Sequence, residues 1–114
     1  MTHEMKLNPR PFAQIAEGSK TIELRLYDEK RQRVRVGDTI VFTKTTDPTA
    51  QITATVVKLH RFDSFAALYQ SLPPDKCGYS PEQIATADPR DMERYYSPAE
   101  QAQYGVLGIE IAVI

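Results

Sequence analysis

The feature that most constrains this chain is the segment Gly18-Ser19-Lys20-Thr21-Ile22-Glu23-Leu24-Arg25-Leu26. Its apolar residues recur at every second position, the period of a β-strand. In that conformation Ile22, Leu24 and Leu26 point to one face and read as core, while Thr21, Glu23 and Arg25 point to the other. Glu23 and Arg25 become same-face neighbours, with Lys20 at the mouth of the strand just after the Gly18 turn. One carboxylate between two cations is a constellation able to handle an anion. Lysine and arginine can hold a phosphate or a developing oxyanion, and a carboxylate there can act as general base on water or a hydroxyl. A solvated, mutually paired strand face is the plainer reading of the same residues, and exposed pairs of that kind contribute only about 0–1 kcal/mol.

The remaining segments predict an α+β domain. Pro9 and Pro11 suit a helical first turn, with Phe12, Ile15 and Ala16 as its apolar stripe and Gly18 as its C-cap. Val34 and Val36 around Gly37-Asp38 predict a strand pair. Thr39–Thr43 and Gln51–Phe62 are rich in β-branched residues and predict two strands broken at Asp47-Pro48. Ser64 caps a helix that stops before Pro73-Pro74. Ser80-Pro81-Glu82 and Ser97-Pro98-Ala99-Glu100 each predict the start of a short helix. Val106–Ile114, polar only at Glu110, predicts a largely buried last strand. The simplest assembly is one domain over residues 1–114, a small curved or closed and mainly antiparallel β-barrel decorated with short helices. Irregular alternation of helices and strands argues against parallel βαβ winding, and neither common glycine-rich phosphate loop is present.

Composition narrows the function. No signal-peptide core or stretch of about 18 apolar residues is visible, so a cytoplasmic protein with no membrane contact is expected. Cys77 is the only cysteine, and neither histidine, His3 in an N-terminal tail or His60 among strand residues, has a partner at metal or triad spacing. No metal and no cofactor are expected. The net charge of −1 conceals an asymmetry: residues 1–36 carry eight Lys or Arg against five acids, the remainder six against ten. Nucleic-acid contact would have to use a local patch in the basic third. Lys30, Arg31, Arg33 and Arg35 form one such tract. Tyr95-Tyr96-Ser97 with Tyr104-Gly105 is a second cluster, able to stack on bases or bind phosphate and sugar, although Ser97 is equally a helix cap.

Lys6-Leu7 with Pro11-Phe12, then Gly18-x-Lys20-Thr21-x-Glu23-x-Arg25, Val36-Gly37-Asp38, and the late Tyr96-Ser97 and Tyr104-Gly105-Val106 form a pattern spread over the chain. It resembles the ASCH domain of the PUA-like superfamily. That resemblance implies a β-barrel-like fold with a cleft beside the G-x-K-x-x-E-x-R strand, and RNA or nucleotide/nucleoside partners in RNA-linked processing. It places Lys20, Thr21, Arg25, Tyr96 and Ser97 in binding. The alternative it implies is a metal-independent hydrolase acting on RNA or on a modified nucleoside such as N4-acetylcytidine, with Lys20 and Glu23 as catalytic residues. Where the amidohydrolase branch carries a threonine nucleophile, this chain has Glu23, which leaves general-base activation of water as its chemistry. A third reading is an interaction domain with an inert, paired strand face. The oligomeric state is not legible in the sequence.

Overall fold

The computed structural model describes residues 1–114. Strand β1 (Thr2–Leu7) leads into helix α1 (Pro9–Glu17), and β2 (Ile22–Leu26), β3 (Thr39–Lys44) and β4 (Asp47–Phe62) follow. Helix α2 (Phe65–Ser71), a run of 3₁₀ turns, helix α3 (Pro98–Tyr104) and strand β5 (Val106–Val113) complete the chain. The strands form one curled, five-stranded sheet in the order β1-β3-β4-β5-β2. Only β1 on β3 is parallel; the other three pairings are antiparallel. No helix is long and apolar enough to cross a membrane.

The inner face of the sheet is buried, whereas the outer face is covered around β2 and β5 and exposed at outward positions of β1 and early β4 such as Thr2, Glu4, Lys6 and Thr49. Met5, Leu7, Ile40, Phe42, Ala54, Val56, Leu107 and Ile109 gather inside the curl with Ile15 of α1. On the outer face Ile22, Leu24, Leu26 and Val106 pack against Phe65 and Leu68 of α2 and against Cys77. A fully buried side chain of this size contributes roughly 1.5–3 kcal/mol, so these two clusters supply the main driving force for the curl. The apolar face of β2 is therefore core, as its alternation predicts, but it belongs to the smaller cluster. Its charged face is the one turned toward the inside of the half-barrel, since Glu23 pairs with Ile109 and Arg25 with Leu107 across the β2–β5 ladder.

Helix α1 begins with proline in its first turn and ends at Gly18 (φ 87°), whose N–H bonds the Ile15 carbonyl at 3.1 Å. Ser64 and Ser97 cap α2 and α3 as expected, the latter in a reciprocal capping box with Glu100.

Four local readings are corrected. The N-terminus is not a tail, because His3, Met5 and Leu7 alternate into the interior as β1, and His3 Nε2 meets Asp38 Oδ2 at 2.8 Å. Val34–Val36 is not a strand. Asp38 accepts from the Arg35 N–H at 3.0 Å, a local bond that holds a turn after the 3₁₀ segment Arg31–Arg33 and sends Val34 into the core. Strand β4 starts already at Asp47, with Pro48 at its beginning and the reversal at Thr45-Thr46. Ser80-Pro81-Glu82 opens a turn rather than a helix, followed by 3₁₀ segments at Ile84–Thr86 and Pro89–Arg94. Pro89 holds Asp88 in an extended conformation (φ −136°, ψ 132°) and so ends any helix begun at Pro81.

Candidate anion-binding cleft

A cleft of about 590 Å³ opens at the mouth of the half-barrel. Its walls are the end of β1, the start of α1, the charged face of β2 and the segment from Cys77 to Tyr96. At its floor Glu23 is only 4% exposed, and both its oxygens are engaged. Oε1 lies 2.8 Å from Lys20 Nζ; Oε2 accepts from Arg25 Nε at 2.8 Å and lies 2.7 Å from Nη2. The same Nη2 donates to the Lys6 carbonyl at 2.8 Å. Burial pushes the proton affinity of Glu23 up, but the two cations outweigh it and hold the carboxyl below its ordinary range. For Arg25, burial works against the charge, while Glu23 and then Tyr96 restore it, and the net shift is upward.

Lys20 is set by its surroundings. Its N–H bonds the Gln14 carbonyl at 3.1 Å, and its side chain runs beside Gly78. Gly78 has φ 109°, and a Cβ there would come 3.3 Å from Lys20 Cδ and 3.1 Å from Gln14 Oε1. The Gln14 amide in turn donates to the Gly78 carbonyl at 3.0 Å. A glycine is thus needed both for the backbone conformation and for the close approach of the lysine.

Lys20, Glu23 and Arg25 of the strand pattern and Tyr96 of the late aromatic cluster line one cleft. Tyr96 is half-buried and stacked on Phe65, with centroids 6.2 Å apart, so its ring is already occupied; its neighbour Tyr95 is 57% exposed and has a free face. Thr21 does not line the cleft, and its backbone ties β2 to Lys76 and Ile111. Ser97 does not line it either; its hydroxyl accepts from the Glu100 N–H at 3.1 Å. The tract Lys30, Arg31, Arg33 and Arg35 also lies elsewhere. Lys30 bonds the Glu4 carbonyl, Arg31 pairs with Asp28 at 2.9 Å, and Arg35 bonds the Gln32 carbonyl.

Several lining residues have no site role in the sequence reading, where Lys6 enters only as part of the family pattern. Lys6, Arg10 and Arg94 bring the cationic residues lining the cleft to five, against the acidic Glu23 and Asp91. The excess of basic residues in the first third was the available signal for Lys6 and Arg10. Tyr69, Tyr79 and Asp91 form a hydrogen-bonded chain along the wall, with both links at 2.8 Å, and nothing local in the sequence joins them. Burial, followed by the bonds to Tyr69 and Asp91, pushes the Tyr79 phenol far up and keeps it protonated. Cys77 also reaches the cleft, but burial raises its thiol to about 11 despite Lys20, leaving only about one thiolate in ten thousand at neutral pH. No three His, Cys, Asp or Glu side chains are grouped to share a metal ion.

The curled, mixed five-stranded sheet with short helices defines the class of fold, and the comparisons agree with it. The ASCH domain family model matches residues 5–114. The hypothetical protein PH0355 is similar over the full length of both chains, with 28% identity and a TM-score of 0.82. Protein PF0455 from Pyrococcus furiosus is similar over 100% of this chain and 98% of its own, at 26% identity and a TM-score of 0.69. The ASCH protein from Zymomonas mobilis shares the fold, with a TM-score of 0.64 and 17% identity over 97% of this chain and 66% of its own. No curated protein matches. The chain belongs to the ASCH domain family.

Proposed function

We propose that this ASCH domain binds RNA or a nucleotide, with the phosphate held in the cleft by Lys20 and Arg25. The observation that carries the reading is the excess of five cations over two carboxylates in one concave site of a chain whose net charge is −1. Lys6 and Arg10 extend the cationic surface toward α1, and the exposed Tyr95 ring offers a stacking face at the rim. Glu23 serves as the internal counter-ion that fixes both cations at the cleft floor. With both oxygens engaged and its proton affinity lowered, it is a weak general base, which favours binding over the hydrolytic alternative.

The test is titration of short single-stranded RNA and of mononucleotides into the intact protein and its Lys20→Ala and Arg25→Ala variants. Each variant is expected to bind at least tenfold more weakly. Equal affinity in all three proteins would remove the proposal. Time courses with RNA and with N4-acetylcytidine, run beside the Glu23→Gln variant, separate the alternatives: turnover abolished by that substitution assigns the cleft to a hydrolase.

A further inference from the structure

Resting on that reading, we propose that the Tyr69–Tyr79–Asp91 wall is a hydrogen-bond-accepting subsite that selects a nucleotide whose base carries an exocyclic amine. The direction of the relay follows from its end. An aspartate carboxylate only accepts, so the Tyr79 proton points to Asp91 Oδ2, at 2.8 Å. Tyr79 has one proton and has used it. The 2.8 Å bond between the two phenols therefore runs from Tyr69 to Tyr79. Asp91 is itself fixed, because the Asp88 N–H donates to the same Oδ2 at 3.2 Å.

Both phenol protons are thus committed within the relay, and what remains for a ligand is lone pairs: those of the Tyr69 oxygen and those of Asp91 Oδ1. All three residues line the cleft that holds the cations. The two regions are joined through Gly78, which lies against Lys20 and immediately precedes Tyr79. A ligand filling both needs an anion at one end and N–H donors at the other. The cleft volume of about 590 Å³ falls within the usual range for small-molecule sites and accommodates a mononucleotide. An amino-bearing base satisfies the wall with two N–H groups at one position, whereas a carbonyl in the same place sets oxygen against oxygen and leaves only the neighbouring ring N–H to donate.

The experiment compares pairs that exchange amine for carbonyl on one ring, CMP with UMP and AMP with IMP, by calorimetric titration of wild type, Lys20→Ala and Tyr79→Phe. Wild type is expected to prefer the amine by about tenfold in at least one pair. Tyr79→Phe keeps the ring that packs edge-on to Tyr69, with centroids 5.8 Å apart, but severs the relay and releases the Tyr69 proton. Its preference is expected to fall within twofold or to invert. Wild-type protein that binds both members of both pairs equally, with Lys20→Ala weakening all four, would overturn this inference and leave the phosphate site standing. No binding of any of the four at millimolar concentration would overturn both. The wild-type comparison does not depend on the variant folding.

Discussion

Glu23 illustrates how a single residue joins folding to the site. A carboxylate on the inner face of a half-barrel is costly unless its charge is answered, and here Lys20 and Arg25 each take one oxygen. Glu23→Gln leaves two partly buried cations without their counter-ion. Urea unfolding at pH 7 is expected to show a loss of about 3 kcal/mol, the low end for removing one member of a buried pair. The pH dependence has a definite sign. The folded carboxyl titrates below its unfolded value of about 4.5, so its contribution is complete above that pH and fades as the pH falls through the folded value. Wild type should therefore lose stability in acid faster than Glu23→Gln, and the gap between them should close. A gap that stays constant from pH 7 to pH 3 would mean that the pairing contributes little.

At the scale of elements, two substitutions separate scaffold from site. Ser97→Ala removes the α3 cap and is expected to cost about 1 kcal/mol in thermal or urea unfolding while leaving nucleotide affinity unchanged. Gly78→Ala acts on both. A φ of 109° costs an L-residue roughly 1–2 kcal/mol, and the new methyl presses on the Lys20 side chain, so both stability and affinity should fall. Undiminished affinity in Gly78→Ala would show that Lys20 is not held from that side. These elements also mark what could be read from the chain itself. The alternation of Ile22, Leu24 and Leu26, the serine caps at Ser64 and Ser97 and the apolar run of β5 are local signals, and the structure follows them. The Lys20–Glu23–Arg25 cluster was legible because all three lie within six positions of one strand pattern. Strand β1 was less visible, since its inward positions include His3 and its outward ones Thr2, Glu4 and Lys6, a weak apolar alternation that gains its meaning from pairing with β3. Tyr69, Tyr79 and Asp91 come from three segments whose approach is a product of the tertiary fold.

For the whole molecule, the decisive fact is that the sheet curls without closing. Strands β1 and β2 are its edges, and the gap between them is bridged by side chains: Arg25 donates to the Lys6 carbonyl at 2.8 Å and Lys30 to the Glu4 carbonyl at 3.1 Å. The cleft stands at this seam, so its cations are gathered where a closed barrel would have hydrogen-bonded strands. Outside it the chain is on balance acidic, because five cations and two carboxylates line the cleft while the net charge is −1. If the cleft holds phosphate as proposed, an extended RNA meets excess positive charge there and, the basic tract from Lys30 to Arg35 apart, a net acidic surface beyond it. Single strands lose affinity with salt at a slope of about −0.7 per neutralised phosphate, so roughly three net charges imply a slope near −2. Lys20→Ala and Arg25→Ala should each make it shallower by about 0.7. The same charge distribution limits the footprint: affinity should stop rising at about three or four nucleotides, the number whose phosphates the net cleft charge can neutralise. Titrations of oligonucleotides of increasing length at two salt concentrations measure both quantities together. Affinity that continues to climb with each nucleotide added past ten would place the binding surface across the molecule rather than at the seam.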